Sequence, residues 1–236
     1  MRRVGVIKGS GFEGLFVDES VSGRCSTPYG EVEVYRAEIN GVEVIHIPRH
    51  GLRHETLPHE IEYRGIIYAM KGCRGIIAIS TVGGISPGFT PGMIVLPDQY
   101  IDLCQDVWTF SSGVKAHVDM SMPFCREIRS AISRHGRVHE GGTYARMRGP
   151  GFETVAEVRM LRTLGADIVG MTVAPEARLA REVNICYQPI TLVTNTAGGV
   201  VSHEKNLLMV KKRRKKIETI IRDTLPEVVR IDKHDH

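Results

Sequence analysis

Cysteine is sparse in this chain: Cys25, Cys73, Cys104, Cys125 and Cys186 are odd in number, far apart and never spaced C-x-x-C. That pattern argues against a zinc site and a disulfide framework and fits a reducing compartment. Long apolar runs are also missing. Ile76 to Ile79 is representative, against the roughly 20 residues of a spanning helix, and the N-terminus shows no apolar signal core. The expectation is a cytoplasmic protein with no membrane partner. An excess of one charge is lacking too: 31 Lys and Arg stand against 27 Asp and Glu, for a net charge of +4. The run Lys211 to Lys216 carries six of those positive charges, and the remainder nets −2. Aromatics amount to six Phe, seven Tyr and one Trp, none inside that run. A nucleic-acid binder spreads basic residues over a face and interleaves aromatics, so no nucleic-acid partner is expected. The run instead reads as the solvated side of a helix whose buried stripe is Leu207, Leu208, Ile217, Ile220, Ile221 and Leu225.

What the chain does have is alternation of apolar β-rich and helical segments over residues 1–236, with no linker or repeat. Val4 to Ile7 reads as a buried strand closed by Gly9, Ser10 and Gly11. Val32 to Tyr35 and Val42 to Ile47 flank Asn40-Gly41, a strong hairpin signal. His59 to Lys71 reads as a helix, Gly75 to Ser80 as a strand, Val82 to Pro91 as a loop and Met93 to Leu96 as a short strand. Beyond these, Thr154 to Thr163, Pro175 to Val183 and His203 to Thr224 read as helices, and Asp167 to Met171 and Ile190 to Val193 as strands. In Thr154 to Thr163 the buried face is expected at Val155, Val158, Leu161 and the neighbouring Leu164. The fold class is α/β, one domain with a central mixed sheet flanked by helices.

Ligands collect where strands end in such folds. Gly9-Ser10-Gly11, Pro48-Arg49-His50, Ser80-Thr81-Val82-Gly83-Gly84 and Met171-Thr172 all follow strands. Glycine lets the backbone approach, Ser and Thr donate neutral hydrogen bonds, and Arg supplies a bidentate charged pair. Together they describe an oxyanion site, most economically phosphate. Taken singly, each has a plainer reading as a turn, a surface pair or a strand end closed by local hydrogen bonds.

Several segments carry a resemblance. They are Pro48-Arg49-His50-Gly51 with Pro58-His59-Glu60, Ser80 to Gly84, Pro91 to Asp102, Met122-Pro123-Phe124-Cys125, Gly141-Gly142-Thr143-Tyr144, Gly149 to Glu157, and Gly165 to Thr172 with Pro175-Glu176. In order and spacing they resemble the methylthioadenosine phosphorylase and trimeric purine nucleoside phosphorylase family, over nearly the whole chain up to Thr196. The resemblance implies reversible phosphorolysis of purine nucleosides, with inorganic phosphate as co-substrate and no cofactor or metal, by a homotrimer or a dimer of trimers. Carried over by position, it implies that Ser10, Arg49, His50, Thr81, the backbone at Val82 and Thr172 hold phosphate. Met171 would lie under the ribose 2′-hydroxyl and Phe152 would stack on the purine. Lys8 stands where relatives have Gly, and Gly151 replaces an Arg common in methylthioadenosine enzymes.

The base is distinguished by hydrogen-bond polarity. Adenine N1 accepts, whereas hypoxanthine and guanine carry N1–H and a 6-carbonyl. An ionised carboxylate accepts only, and an Asn amide both donates and accepts. Glu153 after Phe152, and Asn195 where adenosine-cleaving relatives carry Asp, therefore imply 6-oxopurine substrates, inosine and guanosine. His50, Glu153 and Asn195 would be the catalytic groups. The plainer readings are a carboxylate at a helix N-terminus for Glu153 and a strand-closing turn for Asn195. At the 5′ end, the resemblance places His203 in the pocket with Asn206 one turn later, the plainer reading of His203 being an exposed residue at a helix start, and it gives His117 as a residue from a neighbouring subunit. S-methyl-5′-thioinosine, and after it methylthioadenosine, are the alternative substrates. A protein that binds nucleic acid through Lys211 to Lys216, or a hydrolase that uses water, are the rival classes.

Overall fold

The computed structural model describes residues 3–111, 117–199 and 202–231. Eleven strands among them form one branched mixed sheet flanked by five helices. Strand β1 (Arg3–Lys8) lies parallel to both β4 (Val42–Pro48) and β5 (Cys73–Gly84), and β11 (Cys186–Thr196) lies parallel to β5 on its other side. Central parallel strands are covered on both faces, which is why Val4, Val6 and Ile7 have no solvent-accessible surface. Beyond the end of β1, the tip of β5 pairs antiparallel with β10 (Ile168–Gly170), which continues through β9 (Thr143–Arg146) to β7 (Gln99–Asp102). The other branch runs from β11 to β6 (Ile94–Leu96) and β8 (His139–Glu140).

The strand β3 (Gly30–Ile39) joins β4 through Asn40-Gly41, with φ of 51° and 74°. Those left-handed positions are what a tight hairpin asks of Asn-Gly. Outside β3 lies β2 (Val21–Thr27), an exposed strand without an apolar pattern.

Successive residues of β5 point to opposite faces. Ile77 and Ile79 pack with α2 (Arg126–Arg134) and α5 (His203–Val228), while Ile76 and Ala78 pack with α1 (Tyr63–Ala69) and α4 (Val173–Glu182). The helix α3 (Val155–Thr163) is opened by a capping box in which Thr154 and Glu157 bind each other's backbone N–H. No helix among the described residues is long and apolar enough to cross a membrane.

Several boundaries differ from the expected ones. Val82, Gly83 and Gly84 belong to β5, because β11 and β10 both pair with its glycine tip, and a Cβ on Gly84 would sit 2.0 Å from the Phe89 carbonyl oxygen. The helix α1 begins at Tyr63 rather than His59, with Glu62 accepting from the Arg64 amide at its start. Asn195 lies inside β11, which runs to Thr196. Val155 and Leu164 of the α3 region, and Leu207 and Leu208 of α5, are exposed. The buried stripe of α5 is Val210, Ile217, Ile220, Ile221, Leu225 and Val228.

Candidate active site

The parallel strands β1, β4, β5 and β11 end along one edge of the sheet, where a cavity of about 350 Å³ opens. Ser10, Arg49, His50, Thr81, Val82, Phe152, Glu153, Met171, Thr172, Asn195 and His203 all line it. The expected site residues thus come together, apart from His117, which is exposed and does not line this cavity.

The turn after β1 sits against the β4 end: the Arg49 amide donates to the Lys8 carbonyl at 2.9 Å. Gly9 is required there, since a Cβ would lie 2.5 Å from the Ile79 carbonyl oxygen and 2.7 Å from Arg49 Nη1. Lys8, the departure from the family pattern, is fully buried and turns back to donate from Nζ to the Leu15 carbonyl at 3.0 Å. Burial lowers its pKa to about 7, with Glu13 opposing.

Arg49 corrects an expectation. Its fork meets Glu176 instead of standing open to an anion: Nη2 donates to Oε2 at 2.9 Å, Nε to Oε1, and Nη1 to the Ile79 carbonyl at 3.0 Å. Burial works against its charge, but Glu176 holds its pKa above the ordinary value. Only the second hydrogens on Nη1 and Nη2 are left for a ligand, so its charge-assisted pair is already made inside the protein.

His50 donates from Nδ1 to the Thr56 carbonyl at 2.9 Å, since a carbonyl can only accept. Burial, with the Arg49 charge beside it, pushes its pKa down to about 4. The ring is therefore neutral at pH 7 and its Nε2 carries a lone pair. It stacks on His54 at 4.5 Å, and His54 lies 5.4 Å from His203. His54 Nδ1 bonds Glu13 Oε1 at 2.8 Å, and the same oxygen accepts from the Gly11 amide at 3.0 Å. Burial alone would raise the Glu13 pKa, yet these hydrogen bonds bring it below the usual value.

At the other end, Phe152 leaves 48% of its surface open, a free face for stacking. Glu153 lies just outside α3. Thr154 and Glu157 satisfy the helix start, so Glu153 has no capping work and lines the cavity instead. Burial raises its pKa, against the pull of its own backbone amide. The β5–β11 register slips between Val193 and Asn195, a bulge that sets Thr194 and Asn195 together at the cavity. Thr194 Oγ1 bridges Asn195 Oδ1 at 3.1 Å and the Val82 carbonyl at 3.4 Å. The one hydroxyl proton has its shorter path to Asn195 Oδ1, which leaves Nδ2 as donor.

Met171 and Thr172 follow β10, and the Thr172 amide donates to the buried Tyr144 hydroxyl at 3.2 Å. Sequence reasoning missed Glu13, His54, Leu57 and Val210, and did not assign Glu176 its role. His54 is the one with a signal, a third histidine close behind Arg49-His50.

The family model described as the phosphorylase superfamily matches residues 3–226. Among similar proteins, S-methyl-5′-thioadenosine phosphorylase of Pyrococcus abyssi is 41% identical over 97% of this chain and 93% of its own length. The 6-oxopurine nucleoside phosphorylase of Pyrococcus furiosus is 37% identical over 96% and 93%. Methylthioadenosine phosphorylase from Schistosoma mansoni, solved with adenine, superposes with a TM-score of 0.91 at 26% identity, covering 98% of this chain and 93% of that one.

Proposed function

The chain belongs to the phosphorylase superfamily, as an enzyme of the nucleoside phosphorylase kind, and we propose that it cleaves 6-oxopurine ribonucleosides, inosine and guanosine, with inorganic phosphate. The single observation that carries this reading is Glu153: a half-buried carboxylate that the α3 capping box leaves free, in the lining of one cavity with an open aromatic face and the Asn195 amide. An ionised carboxylate accepts from N1–H of hypoxanthine or guanine and has nothing to offer the lone pair of adenine N1.

Phosphate would occupy the strand ends, held by the Ser10, Thr81 and Thr172 hydroxyls, the Val82 amide and the remaining Arg49 hydrogens. His50 Nε2, without a proton, suits the P–OH of hydrogen phosphate. A phosphate oxygen then forms the bond to C1′ as the C1′–N9 bond breaks. The proton of hydrogen phosphate balances the one gained at N7 of the departing base, so ribose 1-phosphate leaves as a dianion and the purine as a neutral molecule. Asn195 orients and stabilises the base edge as it gains electron density, and holding both reactants in line removes most of the entropic barrier.

The exposed His117 suits contribution to a second copy's cavity in a homotrimer, to be checked by sedimentation. Leu57, Leu207 and Val210 in the same lining favour a second reading, S-methyl-5′-thioinosine. The deciding experiment is a phosphate-dependent assay of inosine, guanosine, adenosine and methylthioadenosine. Inosine and guanosine are expected to lead, because one unsatisfied group in a buried site costs about 1–3 kcal/mol. Faster cleavage of the 6-aminopurines, or release of base without phosphate, refutes the proposal.

A further inference from the structure

Glu13 does not line the cavity, yet one of its oxygens ties together two loops that do. Its Oε1 accepts from the Gly11 amide at 3.0 Å and bonds His54 Nδ1 at 2.8 Å. An ionised carboxylate only accepts, so Nδ1 carries the proton of that bond. Among the described residues this is the one side-chain hydrogen bond between the turn after β1, which holds Ser10, and the loop after β4, which holds His50. With 13% of the Glu13 side chain exposed, water competes little for it.

Both ends of the clasp are constrained. Gly11 has φ of 79°, and a Cβ there would meet Val210 Cγ1 at 2.8 Å, so the turn has no room to drift towards α5. His54 has φ of 58°, a left-handed conformation that is uncommon for a residue with a Cβ and persists only where the surroundings over-determine it. Three contacts do so: Nδ1 on Glu13, the amide on the Gly51 carbonyl at 3.3 Å, and the ring stacked on His50 with 30° between the planes. His50 is in turn fixed twice. A single hydrogen bond to Thr56 leaves a ring free to swing about it, and the His54 face closes that freedom on one side.

We propose that Glu13 is a positioning residue for the phosphate subsite: without touching phosphate, it sets Ser10 on one loop against His50 on the other. This rests on the reading that the strand ends bind phosphate. The role is geometric. A carboxylate near the subsite repels an anion, so Glu13 opposes phosphate by its charge and serves it only by holding two donors in place.

The test measures KM for phosphate and for inosine, each with the other reactant saturating, in the unaltered protein, Glu13→Ala and Glu13→Gln. Glu13→Ala is expected to raise the phosphate KM by about 10- to 100-fold, the loss that a misplacement on the order of an ångström produces, with the inosine KM near its original value. Glu13→Gln keeps a neutral oxygen for the same two donors, so its phosphate KM stays near that of the unaltered protein. Phosphate added without nucleoside should raise Tm in the unaltered protein and in Glu13→Gln, and much less in Glu13→Ala. A merely structural Glu13 lowers Tm but leaves the two KM values and the phosphate response alone, and that result overturns the proposal. A Gln variant that behaves like Ala overturns it as well. If Glu13→Ala does not fold, His54→Gly removes the same clasp while adopting the left-handed φ freely; an unchanged phosphate KM there overturns the proposal. If no purine nucleoside is cleaved, the functional reading fails, and the phosphate-induced Tm shifts of the three proteins still decide the role of Glu13. An unaltered protein whose Tm does not respond to phosphate overturns both.

Discussion

Arg49 and Glu176 form a closed ion pair across 127 residues of sequence, two-pronged, with neither side chain reaching solvent and the Tyr187 hydroxyl donating to Glu176 Oε2 at 2.6 Å. Removing one partner of a buried pair costs about 3–5 kcal/mol. Glu176→Gln is therefore expected to lower Tm by about 6–20 °C, at about 2–4 °C per kcal/mol for a chain of this size. It also releases the Arg49 fork to an anion. Added phosphate should raise the Tm of the variant more than that of the parent, since a ligand stabilises the state that binds it. Calorimetry with and without phosphate checks both signs, and an equal phosphate response would mean that the fork stays closed to the ligand.

Protonation of Glu153 should change the preferred base. Burial raises its pKa, so as pH falls the carboxyl is protonated above the usual carboxylate range, turning an acceptor into a donor. Cleavage of inosine should decline on that acid limb while the ratio of adenosine to inosine cleavage rises. Glu153→Ala should lose about 10- to 100-fold in kcat/KM for inosine, as expected when N1–H is left without its acceptor, and flatten the limb. Profiles of kcat/KM against pH for both nucleosides decide it.

Asn195→Asp replaces the amide donor by an acceptor-only group next to the Thr194 hydroxyl. Inosine cleavage should fall by about 10- to 100-fold and adenosine should gain relative to it. An unchanged preference would show that Asn195 does not read the base.

Lys8 gives a stability prediction with a definite sign. Its folded pKa is lowered to about 7 from 10.5, so between those values the unfolded chain holds a proton that the folded one lacks. Stability then rises with pH across that window, and below pH 7 the full penalty of a buried charge is present. Lys8→Met should therefore gain most on the parent at pH 7 or below, and its advantage should shrink towards pH 10. Denaturant midpoints at several pH values measure the slope.

How much of this was legible in the sequence follows from what each residue touches. β1, β4, β5 and β11 are apolar because both their faces are covered, and the cavity opens at their ends, where the strand-end motifs point. β2 is invisible, since an exposed edge strand such as Val21–Thr27 needs no apolar period. β9 is hidden by Arg146, buried in the strand because Asp102 and Asp106 pair with its guanidinium. Phe152, Glu153 and Asn195, which the segment resemblance puts at the site, line the cavity. The Arg49 fork was not legible, because its partner is set by tertiary approach and no local pattern announces it. The same holds for Glu13 and His54, which meet only when the β1 turn and the loop after β4 fold together.

The closed pair has a consequence for the charge balance of the reaction. With Arg49 neutralised by Glu176 and His50 uncharged, the strand-end cradle grips an anion largely through dipoles. Phosphate bound there on the proposed reading keeps most of its own negative charge, and the positive sugar that forms as the base departs finds its counterion in the co-substrate rather than in the protein. A nucleoside bound alone meets no such counterion, so water gains little help in attacking it. The same buried carboxylate that ties up the arginine would thus make the enzyme wait for phosphate.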